Sequence, residues 1–122
     1  MMIQNLTHLQ VARAYWDAEE RRDLDAVMGY YHDDASLVVP GATLRGKAEI
    51  RTYYEPGLEA FPGLEVRIKR DIVNGEWALF EYEAVFTDAE GKRTPFEGCN
   101  VVQIVDGKYT YVRGYFDPTQ FG

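Results

Sequence analysis

Apolar positions follow a helical period in the first half of the chain and alternate in the second. Leu6, Leu9, Ala12, Tyr15 and Trp16 fall on one helical face. Thr7 followed by Gln10 has the form of a capping box ahead of that face. Asp23 can cap a second, short helix with Leu24, Val27, Met28 and Tyr31 inward. Ser36 to Val39 is a short β-prone run stopped by Pro40-Gly41. A third helix is predicted over Lys47 to Ala60, with Ile50, Tyr53, Tyr54 and Leu58 inward. Pro56-Gly57 sits inside it and predicts a kink or an early end, because proline removes a helix donor.

After that the period becomes two. Leu64, Val66 and Ile68 alternate with Glu65, Arg67 and Lys69, as in a half-buried strand. Asn74-Gly75 predicts a hairpin, with a long strand from Glu76 to Thr87. Asp88-Ala89-Glu90-Gly91 turns the chain into a run where Pro95 sits early, and Gly98 predicts a bulge or sharp bend. Asp106-Gly107 makes another hairpin before a last strand, Lys108 to Phe116. Helices followed by an antiparallel meander predict an α+β domain with helices on one sheet face. Long bulged strands curl, and a curled sheet closed by helices leaves a cavity.

Composition narrows the function classes. The 122 residues suit one domain, read here as 1–122, with no repeat or linker. Nine Tyr, six Phe and two Trp supply large buried area with polar tips, which suits a core, a pocket or an interface. A formal charge of −7 opposes a phosphate backbone and an anionic membrane surface, so neither nucleic acid nor membrane is expected as a partner. Cys99 is the sole cysteine, and the start Met1-Met2-Ile3-Gln4-Asn5 has no signal-peptide pattern; a cytoplasmic protein is expected. His8 and His32 lack metal-ligand spacing, and no phosphate loop or cofactor fingerprint occurs, so neither metal nor cofactor is expected.

Several motifs in order resemble a known family. Asp23-Leu24-Asp25, Tyr30-Tyr31-His32-Asp33-Asp34-Ala35 and Arg45-Gly46 are similar to the opening of SnoaL-like proteins. Asp106-Gly107-Lys108 and Arg113-Gly114-Tyr115-Phe116-Asp117 are similar to their close. These proteins belong to the nuclear transport factor 2-like superfamily, with ketosteroid isomerases, limonene epoxide hydrolases and polyketide cyclases. The resemblance implies a cone-shaped, cystatin-like fold: three N-terminal helices on a strongly curved, mostly antiparallel sheet around a pocket. It also implies a homodimer through the sheet. Against the isomerases, Tyr15 falls at the oxyanion tyrosine, Asn100 at the protonated aspartic acid and Val39 at the general base. Against the epoxide hydrolases, Glu81 and Glu83 fall at an Arg and an Asp, Gly114 at a second Asp, and Leu37 and Val39 at the water-holding Tyr and Asn. Asp117 lies near an acidic position of the cyclases. Glu83, Asp117, Tyr15 and Asn100 are thereby the catalytic candidates, with Trp16, Val39, Tyr54, Glu81, Val102, Gly114 and Phe116 expected to contact the ligand.

Each candidate has a plainer reading. Glu81 and Glu83 point the same way, with Trp77, Leu79 and Val85, while Ala78, Phe80, Tyr82, Ala84 and Phe86 form the opposite row. Either the acids face the pocket and the apolar row meets a partner, or the apolar row is core and the acids are solvated. Tyr15 could be helix packing, Asn100 could be held by a neighbouring strand or water, and Asp117 could be a turn residue before Pro118. His32-Asp33-Asp34 reads as a surface turn and cap, and Cys99 as a small buried hydrophobe directed away from Asn100. Arg67, Lys69 and Arg70 read as solvated surface. The function expected is cofactor-free acid/base chemistry on a small apolar, carbonyl-bearing compound, as in an isomerase, cyclase or hydrolase. A ligand-binding protein without catalysis, or a dimerisation module, is the alternative.

Overall fold

A computed structural model describes residues 7–121; Met1 to Leu6 and Gly122, and with them the expectations for the N-terminal stretch and for Leu6, lie outside the described residues. The order is α1 (His8–Glu20), α2 (Leu24–Met28), β1 (Tyr31–Val39), β2 (Ala42–Arg45), α3 (Gly46–Ala60), β3 (Gly63–Asn74), β4 (Trp77–Thr87), β5 (Arg93–Val105) and β6 (Lys108–Phe116), closed by a 3-10 turn, Pro118–Phe121. The six strands form one curved, open sheet in the order β2-β1-β6-β5-β4-β3, in which β1 and β6 run parallel and the other pairs antiparallel. The architecture is α+β.

Local chemistry sets the boundaries. The capping box forms: the Gln10 amide donates to Thr7 Oγ1 at 3.1 Å, and the Thr7 amide to Gln10 Oε1 at 2.9 Å. Asp23 accepts from the Ala26 amide at 3.1 Å and starts α2. That helix ends at Met28, so Tyr31 opens β1 instead of extending the helical face. The β3–β4 loop is Gly75-Glu76, one residue later than the Asn74-Gly75 pair suggested, because Asn74 still pairs with Trp77; Gly75 takes φ 62°, the left-handed position such a turn needs.

Three expectations are corrected. The first strand begins at Tyr31, five residues before Ser36, so His32-Asp33-Asp34 lies in an irregular stretch of β1. The His32 ring donates from Nε2 to Val105 O at 2.8 Å and pins β1 to the end of β5. Helix α3 continues past Pro56 to Ala60; Pro56 and Thr52, whose carbonyl loses its donor, are both exposed, so water can replace the missing bond. Gly98 makes no bulge, since Tyr82, Gly98 and Phe116 pair in register. It is a close-approach site: a Cβ there would lie 2.6 Å from Tyr115 O and 2.9 Å from the Tyr82 hydroxyl. The register shifts fall at Ile68/Arg70 and Gln103/Ile104, and β2 had no strong signal of its own.

The helices cover one face only. On β4, Ala78, Phe80, Tyr82 and Ala84 are buried beneath them, and Trp16 of α1 packs edge-on to Phe80 with ring centroids 6.2 Å apart. Full burial of a side chain such as Phe80 contributes about 1.5–3 kcal/mol. Glu81 and Glu83 therefore stand on the outer face. The reading in which they face the pocket and the apolar row meets a partner does not hold.

Candidate active site

Between α1, α3 and the inner sheet face lies a cavity of about 410 Å³. Its walls are chiefly apolar and aromatic: Trp16, Leu37, Val39, Leu58, Leu64 and Val112 among them. At one side Phe61 stacks on Phe86 at 4.4 Å and Phe86 on Phe96 at 4.7 Å, with Phe121 of the closing turn 4.9 Å from Phe96. Into this surface project a few polar groups.

Three tyrosine hydroxyls form a chain. Tyr54, one turn past the buried Ile50 on α3, lies 2.5 Å from the Tyr15 hydroxyl and 2.7 Å from that of Tyr31. Three O–H groups share two bonds, so one proton is left for a further acceptor. Tyr31 is fully buried, and Tyr54 is the one partner of its hydroxyl among the described residues. A proton left at Tyr31 would be stranded in the core, which is costly. The chain therefore runs from Tyr31 to Tyr54 to Tyr15, and Tyr15 turns its O–H toward the cavity it lines. Burial pushes all three hydroxyls above the ordinary tyrosine value, with the charge of Glu19 adding to it, so they remain neutral donors.

Glu19 and Arg22 are the charged residues in the cavity wall among the described residues. Glu19 lies one helical turn beyond Tyr15 on α1. Burial raises its carboxyl above the ordinary glutamate value, while the Tyr15 hydroxyl and the Arg22 charge pull the other way. Arg22 follows the helix end with φ 53°. It donates to the carbonyls of Glu19 at 2.9 Å and Gly57 at 3.2 Å, and burial lowers its own affinity for the proton.

The predicted site residues divide. Tyr15, Trp16, Val39, Tyr54, Asn100, Gly114 and Phe116 line the cavity. Gly114 makes room for its strand neighbour: a Cβ there would come within 3.3 Å of Asn100 Oδ1. Val102 is 1% exposed and belongs to the packed core, not to the cavity wall. Glu81, Glu83 and Asp117 are corrected outright. Strand alternation sets Glu83 against Arg67, whose Nε donates to it at 2.7 Å, and Glu81 against Arg70 at 3.4 Å, both on the outer face. Asp117 is exposed and accepts from the Thr119 hydroxyl at 2.7 Å and amide at 2.9 Å, which hold its carboxyl below the ordinary value. Cys99 shares the outer face, opposite in direction to Asn100 as expected. Sequence reasoning missed Glu19 and Arg22. The usable signal was spacing, since Glu19 is three and four residues from Trp16 and Tyr15, on the inward face of α1.

The SnoaL-like domain matches residues 12–112. The chain belongs to the SnoaL-like domain family. A search of curated proteins finds no match. Solved structures with the same fold include an LEH-like epoxide hydrolase of M. tuberculosis, 27% identical, TM-score 0.76, over 90% of this chain and 82% of that one. TerC, co-crystallised with polyporic acid, is 20% identical with TM-score 0.79 over 93% of each chain. A Catenulispora acidiphila protein of ketosteroid isomerase-like fold, in complex with trimethylamine, is 15% identical with TM-score 0.80 over 91% of this chain and 88% of that one. Tyr15 and Asn100 line the cavity, and the resemblance had set both in the pocket. No helix among the described residues is long and apolar enough to cross a membrane.

Proposed function

We propose that this SnoaL-like chain moves a proton on a small, apolar, carbonyl-bearing compound, with Glu19 as the base and acid. The observation that carries the reading is a carboxyl held in an aromatic cavity, beside a tyrosine whose hydroxyl is backed by two more. A desolvated carboxylate is a stronger base than a solvated one. Glu19 takes a proton from the carbon next to the carbonyl, and the electron pair moves onto the carbonyl oxygen. Tyr15 donates to that oxygen as its charge develops, with Tyr54 and Tyr31 donating in turn behind it. The Glu19 carboxyl then returns the proton to a different carbon of the conjugated system, which gives an isomer; where the enolate carbon instead attacks a second carbonyl of the same molecule, a ring closes and the proton goes to the oxygen of that carbonyl. Asn100 is a further group able to hydrogen-bond the ligand.

The test is exchange of the α-protons of 2-tetralone in D2O, followed by proton NMR. The protein accelerates exchange, and Glu19→Gln loses roughly 10²–10⁴-fold. Exchange at the full rate by Glu19→Gln removes Glu19 from the role. The second reading, a ligand-binding protein without catalysis, is favoured by Val39 and Gly114 standing where relatives of the resemblance carry acidic or polar groups; bound tetralone with no exchange in the unaltered protein would establish it.

The outer sheet face is the contact we propose for a homodimer. Ile72, Trp77 and Tyr115 are 59%, 44% and 48% exposed there. Of the charges on this face, Arg67 is matched with Glu83 and Arg70 with Glu81 within the chain, and Arg113 lies over the Tyr115 ring. These pairings limit local repulsion between two such faces despite the net charge of −7. A monomer in sedimentation at micromolar concentration would contradict it.

A further inference from the structure

Arg22 acts on the proton transfer only through its charge on Glu19, yet two costs are concentrated on it. Its backbone sits at φ 53°, a region that costs a non-glycine residue roughly 1–2 kcal/mol. Its Nε–H is buried with no acceptor, a state that native proteins rarely leave unexplained. The guanidinium is held by carbonyls from two elements, Glu19 at the end of α1 and Gly57 on α3. Carbonyls fix its position without cancelling its charge, and they leave part of the donor fork unused. Phe86 supports it from below, with the guanidinium carbon 6.0 Å from the ring centroid.

The position of Arg22 relative to Tyr15 gives the cavity two ends. Tyr15, Glu19 and Arg22 follow one another along α1 and its exit. At a rise of about 1.5 Å per residue, the last residue of α1, Glu20, lies roughly 7.5 Å beyond Tyr15 along the axis, and Arg22 follows that end. Tyr15 lies among Tyr30, Tyr31 and Tyr109 at the core end. Arg22 lies beside Phe86, which stacks with Phe61 and Phe96. One wall is thus a polar rail, and the sheet wall facing it, with Val66, Ala84, Phe86 and Phe96, is apolar. A ring compound fits between them if it offers an acceptor oxygen to Tyr15 at one end and an anion to the guanidinium at the other.

We infer that the ligand class is an apolar ring compound bearing an acidic group, a carboxylate or an acidic enol, which Arg22 recognises at the phenylalanine end of the cavity. This rests on the reading of the cavity as the reaction site. A planar guanidinium suits a planar carboxylate or enolate through paired N–H bonds, and each terminal nitrogen of Arg22, bonded to one carbonyl, keeps a second N–H for such a pairing. Since the chain carries a net charge of −7, the preference for an anion has to come from this local group.

The test titrates the protein with 2-naphthoate and with 2-naphthamide, which share shape and differ in charge, at fixed pH and ionic strength. The unaltered protein binds the naphthoate at least tenfold more tightly, and the terminal guanidinium N–H resonances of Arg22 shift with naphthoate and not with the amide. Arg22→Gln removes the tenfold preference while leaving the amide affinity within threefold; Arg22→Lys keeps part of it. Equal affinity for the two probes, unmoved terminal guanidinium resonances, or a preference that survives Arg22→Gln overturns the inference, and so does failure of both probes to bind. The spectrum of the unaltered protein decides the matter even where the variants do not fold. The neutral tetralone exchange and its Glu19→Gln control involve no anionic ligand, so loss of the anion preference and failure of the reaction reading show up in separate measurements.

Discussion

The two faces of β4 differ by a shift of one residue and have opposite chemistry. Outward, Glu81 and Glu83 are paired with arginines of β3 in water. Inward, Phe80, Tyr82 and Ala84 carry no charge, and the acid that meets them, Glu19, comes from a helix packed across the sheet. Glu83 has both solvent and a hydrogen-bonded cation to stabilise its charge, while Glu81 has Arg70 at 3.4 Å and one carboxylate oxygen buried without a hydrogen-bond partner. Glu19 has desolvation against it and only partial compensation from Tyr15 and Arg22. A carboxylate is therefore useful here because of what surrounds it, and two adjacent acids on a strand are a weaker pointer to chemistry than one acid on an aromatic helix face.

The largest expected effect sets the two kinds of acid against each other. Glu19→Gln loses tetralone exchange by roughly 10²–10⁴-fold, while Glu83→Gln stays within twofold; a large loss from Glu83→Gln would break the comparison. Next comes stability. Phe80→Ala on the inner face costs about 3–5 kcal/mol in urea unfolding, whereas Glu83→Gln, removing an exposed ion pair, costs no more than about 1 kcal/mol. Similar costs at the two sites would mean that the inner face is not the core. Gly98→Ala tests how closely β5, β6 and the Tyr82 ring approach: a Cβ 2.6 Å from Tyr115 O has to be accommodated by backbone shifts, at about 1–3 kcal/mol.

The smallest expected effect is on pH dependence. Glu19 holds its proton more tightly folded than unfolded, so across the interval from the ordinary value of 4.5 up to its raised folded value the native state binds more protons. Stability then falls as pH rises through that interval. Glu19→Gln removes the loss, so its melting temperature exceeds that of the unaltered protein at pH 8 by more than at pH 4. A constant difference at all pH values would show that Glu19 is not desolvated.

Much of the fold was legible because its signals are local. Thr7 and Gln10 cap a helix through bonds three residues apart, and Asp106-Gly107 turns a hairpin whatever lies beyond it. The family motifs added the curved sheet and the inward position of Tyr15 and Asn100. The errors arose where distant partners decide. Pro56 is tolerated because its side of α3 is open to water, and Gly98 is needed for a ring and a carbonyl from other strands, which no local pattern reports. The site was half legible for the same reason. Tyr15, Trp16 and Asn100 could be named, but Glu19 looked like an ordinary polar position near a helix end, and its burial depends on α3 and β4 packing over it.

The most direct measurement is a carboxyl-detected NMR titration of Glu19 in the ligand-free protein. A midpoint above the ordinary glutamate value of 4.5, falling when Tyr82→Ser admits water from the sheet side, is the result expected of a desolvated acid poised to move a proton. A midpoint at or below 4.5 would mean that Glu19 is as well solvated or paired as the acids of the outer face, and would contradict its assignment as the proton carrier of the cavity.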